Sequence, residues 1–399
     1  MASLNLKPGG LPTKIELPSS KSYANRAIIL AALKNKVITL SNVPKADDVT
    51  LLIQALERVG VNFEENNHQL KVLNTFPDCE KETPTLIDSI YVGEGGTTAR
   101  FLAVLLALGQ RPYTLKLGPR LSKRPWKELV DKLNELGARV ELKSDQLFIQ
   151  GPLKLPREIE INCLETTQVA TAFQLALAFQ GTVIKPTQLE SSESYWKMTK
   201  VMVEIFNSAD SYKIPLDWSS ASYPLVFGAL KQEIFFPELH PDPLQADSKL
   251  LMILDQMGAI THKEEGIYIK PGKRQGAIKF DCSDCLDLVP ALVFYLCHIQ
   301  GVHELTGLEN LVHKESDRLG ELYSLMLKFN IQCFKTSHSL KIHGLCDLKL
   351  APTDLVFPED HRLVMTGALF LRLHAGGSLA PASAVSKSFP HFFNLMLRD

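Results

Sequence analysis

"LNELGARVELKSDQLFIQG", residues 133–151, decides the fold. Its first four residues, with Leu133 and Leu136 three apart, space apolar residues as the end of a helix does. Gly137 then stops the helix, and the apolar and polar residues that follow alternate as in a half-buried hairpin. The same plan recurs in "LERVGVNFEENNHQLKVL" (56–73), "LDQMGAITHKEEGIYIKPG" (254–272) and, with Asn330 in place of glycine, "LMLKFNIQCFKTSHSLKIHG" (325–344). Glycine or asparagine at that point supplies the left-handed residue that ends a helix. A second series precedes these stretches, in which small polar residues open an apolar helix: "SKSYANRAIILAAL" (20–33), "GGTTARFLAVLLAL" (95–108), "ETTQVATAFQLALAF" (165–179), "SSASYPLVFGAL" (219–230), "CLDLVPALVFYLC" (285–297) and "EDHRLVMTGALFL" (359–371). The openings recur at roughly 50 to 75 residues, the length that a βαβ-type unit needs.

The chain therefore reads as six copies of a two-helix, several-strand unit. Amphipathic helices alternate with the apolar ones, the last being "SKSFPHFFNLMLRD" (386–399). The sixth copy ends at Asp399 with no hairpin after it, and the strand-like "LNLKPGGLPTKIEL" (4–17) is expected to supply its missing strands. The expected organisation is a domain of residues 1–15 plus 217–399 with residues 16–216 inserted. Two chain crossings form the hinge, and the active site lies in the inter-domain cleft, where helix N-termini with their partial positive charge trap anions.

Composition fits an enzyme. With 399 residues, 45% hydrophobic and 22% charged, the chain suits two or three globular domains. A net charge of −1 gives no bulk attraction to nucleic acid or to an anionic membrane, so any anion site is built locally. No apolar run is long enough to span a membrane, and "MASLNLKPGG" reads as neither a signal nor a transit peptide, which predicts a cytoplasmic protein. Seven cysteines without regular spacing suit a reducing compartment. Cys282 and Cys285 form one CxxC; without a second such pair they read as buried thiols rather than a metal or redox site.

The helix starts collect an unusual chemistry. In "LPSSKSYANRAIILAAL" (17–33), Lys21, Ser22 and Arg26 stand where a helix begins, with Ser22 and Arg26 four apart on one face. A plain serine cap is the simple alternative for that stretch alone. The other starts and their flanks repeat the arrangement, adding Arg100, Arg120, Lys123, Arg124, Lys314, Arg318, Arg362 and Lys387 as cations. Asp47, Asp48, Glu94, Asp287, Glu315, Asp317 and Asp360 are the acids. This set suits two small, multiply anionic substrates and a proton-transfer step. It does not suit nucleophilic acyl transfer, since no GxSxG appears and no Ser/His/Asp set is visible. "GEGGTTAR" (93–100) is Gly-rich but lacks the Lys-Ser/Thr ending of a nucleotide P-loop. His361 is ambiguous, since a lone histidine is more often structural or on the surface than catalytic, and no HExxH or histidine cluster points to a metal.

Eight stretches then occur in one order: "LPSSKSYANRAIILAAL", "GEGGTTARFL", "RLSKRPWKELVDKLNELGA", "DWSSASY", "LQADSKLLMILDQMGA", "HKESDRL", "EDHRL" and "SKSFP". Together they resemble the 5-enolpyruvylshikimate-3-phosphate synthase family, from about Lys14 to Ser388. The resemblance implies an α/β fold of two inside-out, barrel-like domains, each of three βαβαββ-type units. It implies transfer of the enolpyruvyl group of phosphoenolpyruvate to the 5-hydroxyl of shikimate 3-phosphate, with release of phosphate, in aromatic amino-acid biosynthesis. No metal or organic cofactor is implied, the protein is expected to be a monomer, and glyphosate is expected to occupy the phosphoenolpyruvate site.

Position by position, the resemblance assigns Lys21 to both substrates and Ser22 and Arg26 to the shikimate ring. Thr166, Thr167 and Gln168 hold the 3-phosphate and bridge the substrates, and Ser192, Tyr195, Asn310 and Lys314 complete that pocket. Gly96, Arg124, Arg318, Arg362 and Lys387 clamp phosphoenolpyruvate, as Lys21 and Gln168 do from their side. Asp287 falls beside the 5-hydroxyl and Glu315 near the enol methylene; with Lys21 they are the catalytic residues. Several positions depart from the family pattern: Glu94 replaces Asn, Phe101 replaces Pro, Ala246 replaces Gly, "SESY" replaces "SxPY", and Thr166 and Thr167 replace Ser. An acid at 94 repels phosphoenolpyruvate unless it is paired or turned away. None of these changes removes a catalytic group. A lapsed homologue that binds without turnover is one alternative. The other is UDP-N-acetylglucosamine enolpyruvyl transferase, whose Lys-Asn near the start and reactive loop cysteine are missing here.

Overall fold

The computed structural model describes residues 3–66, 69–82 and 89–397, and the chain divides into two compact units, Met1–Pro18 with Leu216–Asp399, and Ser19–Pro215. After β1 (Leu4–Leu6) the chain enters the second of these. Its first copy runs α1 (Lys21–Ala32), β2 (Ile38–Ser41), α2 (Asp47–Arg58), β3 (Phe63–Asn66) and β4 (Gln69–Val72). Its second copy runs β5 (Ile90–Tyr91), α3 (Gly96–Leu106), β6 (Pro112–Lys116), α4 (Lys127–Glu135), β7 (Arg139–Lys143) and β8 (Gln146–Gln150). Its third copy is β9 (Glu158–Asn162), α5 (Gln168–Ala176), β10 (Val183–Thr187), α6 (Glu193–Ser208) and β11 (Ser211–Lys213).

The other unit repeats the order. Its first copy is α7 (Trp218–Lys231), β12 (Ile234–Pro237), α8 (Leu250–Gln256), β13 (Ile260–Lys263) and β14 (Gly266–Ile269). Its second is β15 (Lys279–Asp281), α9 (Val289–Cys297), β16 (Gly301–Thr306), α10 (Arg318–Lys328), β17 (Cys333–Lys335) and β18 (Ser339–Gly344). Its third is β19 (Leu355–Val356), α11 (His361–Leu373), β20 (Gly377–Ala380) and α12 (Phe392–Met396).

The helix-to-hairpin signal is realised at the backbone. Gly60, Gly137, Gly258 and Asn330 follow α2, α4, α8 and α10 with φ of 102°, 91°, 66° and 55°, the left-handed region that ends a helix. The antiparallel hairpins β3–β4, β7–β8, β13–β14 and β17–β18 come next. In the βαβ units the flanking strands are parallel: β5 with β6, β9 with β10, β15 with β16 and β19 with β20. In place of a hairpin, β11 returns to lie parallel to β2. Lys14 bridges Phe235 of β12 in the same parallel sense, and β1 adds antiparallel to β20.

The fold is inside-out because the first helix of each copy is apolar and buried along most of its length. All of α9, "VPALVFYLC", is buried, as is α7 from Trp218 to Leu230. A helix with no polar stripe must be surrounded, so α7, α9 and α11 touch one another in the core of their unit, and α1, α3 and α5 do the same in theirs. Each fully buried Leu, Val or Phe contributes roughly 1.5–3 kcal/mol through lost water contact. The amphipathic helices close the outside, three sheets to each unit.

One element differs from its expectation. "SKSFPHFFNLMLRD" is not a single helix: Lys387 ends a 3-10 segment, Ala382–Lys387, and α12 begins only at Phe392. Pro390 lacks an N–H and disfavours a helical residue before it, so the helix cannot run through. Asn67 and His68, within the stretch 56–73, and Arg398 and Asp399 lie outside the described residues. Among the described residues no helix is long and apolar enough to cross a membrane.

Candidate active site

In the Ser19–Pro215 unit the polar stretch of the N-terminus becomes the start of α1. Ser20 precedes the helix, but its hydroxyl makes no capping bond and is buried without a partner among the described residues, so the serine-cap reading fails. Lys21 Nζ pairs with Asp48 Oδ2 at 2.9 Å. Arg26 is 2% exposed; its Nε donates to Thr199 Oγ1 (2.8 Å), Nη1 to the Ser22 carbonyl (2.8 Å) and Nη2 to the Tyr195 carbonyl (3.3 Å). Ser22 and Arg26 do meet across one turn, through the backbone oxygen of Ser22. Burial pulls the Arg26 guanidinium down to about 10, which leaves it charged at neutral pH.

A second cluster forms at the start of α3. A methyl group built on Gly96 would fall 2.6 Å from Arg100 Nη1, 2.7 Å from Gln168 Oε1 and 3.2 Å from Arg124 Nη1. The missing side chain lets three polar tips converge beside a helix N-terminus, the arrangement that binds a phosphate. Arg100 Nη1 donates to Gln168 Oε1 at 2.6 Å and Nη2 to the Pro125 carbonyl at 2.7 Å, with the guanidinium 4.9 Å over the Trp126 ring. Both partners are neutral oxygens, so the positive charge stays available to a ligand. Burial, and after it Arg124, pull Arg100 down to about 9. Because the Gln168 oxygen is occupied, its amide N–H groups are the ones turned to donate.

Glu94 is accounted for locally. Its carboxylate accepts from the backbone N–H of Leu121 (2.8 Å) and Arg120 (3.3 Å), and Arg120 Nε lies 3.8 Å away. The charge is turned into the 118–121 turn that leads to Arg124, which removes the repulsion expected of an acid beside phosphate. Thr166 Oγ1 accepts from the Gln168 N–H at 3.2 Å, and Thr167 is the buried residue just ahead of α5. Ser192, with φ of 57°, directly precedes α6, and Tyr195 stands in its first turn.

The other unit holds a denser cluster, centred on Arg318 at the start of α10. Arg318 is 1% exposed and touches three carboxylates: Nη1 to Asp287 Oδ1 (2.7 Å), Nη2 to Glu315 Oε2 (2.5 Å), and Nε to Asp360 Oδ2 (2.8 Å). Asp287 also receives Arg362 Nη2 at 3.1 Å and faces Lys314 Nζ at 3.5 Å, and Lys387 Nζ donates to Glu315 Oε1 at 2.9 Å. Burial alone would raise Asp287, but Arg362, Lys314 and Arg318 outweigh it and hold the carboxyl well below the usual carboxylate range. Arg362 keeps Nε and Nη1 buried without a partner among the described residues, which makes it the donor with capacity to spare. Asn310 sits in the 3-10 segment Glu309–His313 just before Lys314. His361 is buried, with Nδ1 4.0 Å from Asp360 Oδ1.

Sequence reasoning collected Asp48, Arg100 and Asp360 among the charges at the helix starts without giving any of them a role, and it missed Thr199 and Asp247. Asp360 is fully buried and grips Arg318 with both oxygens, while its Oδ1 also accepts the Arg362 N–H at 3.0 Å. Its position directly before His361-Arg362 was a visible signal. Asp247 lies in "LQADSKLL", where a lone acid among apolar residues was the only hint.

The chain matches the family profile described as EPSP synthase (3-phosphoshikimate 1-carboxyvinyltransferase) over residues 7–396. It is 29% identical to the 3-phosphoshikimate 1-carboxyvinyltransferase of Syntrophobacter fumaroxidans, covering 96% of each chain, and 28% identical to that of Photobacterium damsela subsp. piscicida, covering 98% of each. Among solved structures, an EPSP synthase from Acinetobacter baumannii superposes with a TM-score of 0.78 at 21% identity, over 98% of this chain and 97% of that one. The enolpyruvyl transferase NikO from Streptomyces tendae superposes with a TM-score of 0.77 at 12% identity, over 98% of this chain and 96% of that one, a likeness of fold. With the profile spanning nearly its whole length, the chain belongs to the EPSP synthase family.

Proposed function

We propose that the two clusters carry the family's reaction, the transfer of the enolpyruvyl group of phosphoenolpyruvate to the 5-hydroxyl of shikimate 3-phosphate. The Ser19–Pro215 unit supplies Lys21, Ser22, Arg26, Thr166, Thr167, Gln168, Ser192 and Tyr195 to shikimate 3-phosphate, with Gly96 and Arg124 against the phosphate of phosphoenolpyruvate. The other unit supplies Asn310 and Lys314 to the first substrate and Arg318, Arg362 and Lys387 to the second. Neither set is sufficient alone, since the phosphate cradle at Gly96 and the carboxylates that move protons are in different units.

The observation that carries this reading is the pair of carboxylates on Arg318. Asp287, held ionised by three cations, takes the proton of the 5-hydroxyl as its oxygen bonds to C2 of the enol. Glu315, the acceptor of the Lys387 hydrogen bond, passes a proton to the methylene carbon to give a tetrahedral intermediate and is left as the carboxylate that takes the methyl proton back in the elimination. Loss of that methyl proton and departure of phosphate then restore the double bond. Buried cations stabilise the negative charge throughout, where low local dielectric makes them most effective. Neither a lapsed homologue nor the UDP-N-acetylglucosamine enzyme is favoured: Asp287, Glu315, Arg318 and Lys387 are present and in contact within one unit, and the curated relatives named above are 3-phosphoshikimate enzymes.

Asp287→Asn and Glu315→Gln test the assignment. Each should lower kcat by about 100- to 10,000-fold, the usual worth of a positioned acid or base, while calorimetry still shows shikimate 3-phosphate binding. Near-normal turnover in either variant contradicts its role. We also infer a cytoplasmic monomer, in keeping with seven cysteines that form no disulfide; light scattering on the eluting protein should give 44.4 kDa.

A further inference from the structure

Asp247 is a buried acid that no cation pairs with among the described residues. It is 2% exposed, Ser219 Oγ is the hydrogen-bond partner of its Oδ2, and its Oδ1 is buried without a partner among the described residues. The charged groups around it are already committed. Lys249, on its own 3-10 segment Ala246–Lys249, pairs with Asp284 at 3.0 Å. Asp217, ahead of α7, accepts from Ser220, and Asp287 and the Cys285 thiol approach from the segment before α9. Arg362 on α11 is the cation whose charge reaches it, yet that guanidinium hydrogen-bonds to Asp287.

A buried carboxylate without a cation or a second donor is costly, and the group escapes that cost by taking a proton. Burial, and after it the charge of Asp287, push Asp247 up to about 7, while Arg362 and Ser219 pull the other way. The neighbouring acids thus diverge, Asp287 ionised and Asp247 poised near neutrality.

We propose that Asp247 is the proton acceptor that couples phosphoenolpyruvate binding to pH, gaining a proton from solvent when the anion engages the unpartnered nitrogens of Arg362. This rests on the reading of Arg362 as part of the phosphoenolpyruvate clamp. An anion on that guanidinium adds negative charge near Asp247 and offsets the one cation favouring its ionised form, so the proton is held more tightly in the complex. Binding then weakens as pH rises through the range where free Asp247 ionises. Asp247 acts through Arg362 and is a positioning residue.

The test is the pH profile of the KM for phosphoenolpyruvate, with shikimate 3-phosphate saturating. Wild-type KM should rise about tenfold between pH 7 and pH 8.5, as expected when one proton is taken up on binding. Asp247→Asn, which mimics the protonated acid, should show a flat profile over that range. Ser219→Ala removes the hydroxyl that favours the charged form and should move the rise to higher pH. An equal rise in Asp247→Asn, or an unmoved profile in Ser219→Ala, overturns the proposal. A second readout does not need turnover: the infrared band of a protonated carboxyl should disappear from the ligand-free wild type between pH 6 and pH 8 and be missing in Asp247→Asn. A band that does not titrate overturns the inference and leaves the proposed reaction standing. A titrating band in a protein that does not turn over the two substrates overturns the reaction instead.

Discussion

Asp287 and Asp247 carry the same side chain, are both buried, and are driven in opposite directions by what surrounds them. Three cations fix one as a carboxylate, and a lone hydroxyl leaves the other near neutrality. Residue identity was readable from sequence, and the family resemblance supplied roles for Asp287 and Glu315. The burial and partners that set Asp247 and Asp360 were not, because they arise from elements distant in the chain. Gly96 is the opposite case, since its place in "GEGGTTAR" already implied a close approach. A methyl group there would press on Arg100, Gln168 and Arg124. We expect Gly96→Ala to raise the KM for phosphoenolpyruvate modestly and the inhibitory concentration of glyphosate much more, because the inhibitor is longer and shares the crowded end. Competitive inhibition curves for both proteins check this; equal shifts in the two constants would mean that Gly96 does not line the phosphate pocket.

At the scale of elements, the helix–glycine–hairpin pattern was legible because a single conformational requirement underlies it. Gly258 isolates that requirement, with φ of 66° and nothing within 4 Å of where a Cβ would sit. Gly258→Ala should therefore destabilise by about 1–2 kcal/mol through backbone conformation alone, read as a lower urea midpoint. Loss of stability well beyond that would require a packing role that the open space does not provide. Asn330, already left-handed with a side chain, should accept glycine with little change. The C-terminal element was misread because apolar spacing outweighed Pro390. The return of the N-terminal stretch to the sixth copy, seen as β1 with β20, was legible from the hairpin missing there, whereas β11 with β2 was harder, since register between strands far apart in sequence leaves no local signature.

Stability of the whole molecule should depend on pH through a histidine pair where α9 and α11 end. His298 Nδ1 lies 2.6 Å from the Phe294 carbonyl and must donate to it, so His298 Nε2 accepts from His374 Nε2 at 2.8 Å. Burial holds His298 down to about 3 and His374 down to about 4, against 6.5 for both in the unfolded chain. The unfolded state thus binds more protons below 6.5; the contribution is complete above that pH and is lost as pH falls towards 4, by up to about 1.4 kcal/mol per pH unit for each ring. His374→Gln, which can still donate to His298, should lose less stability between pH 7 and pH 5 than the wild type in urea unfolding. Equal losses would place the acid sensitivity elsewhere.

At the scale of the whole molecule, the most direct measurement of the proposed enolpyruvyl transfer is phosphate release. The purified protein is incubated with phosphoenolpyruvate and shikimate 3-phosphate, together and singly, and products are followed by phosphorus NMR. Phosphate should appear only with both substrates, in equal amount to a new enolpyruvyl ether that retains the 3-phosphate. Release from phosphoenolpyruvate alone, or none with both present, would contradict the claim.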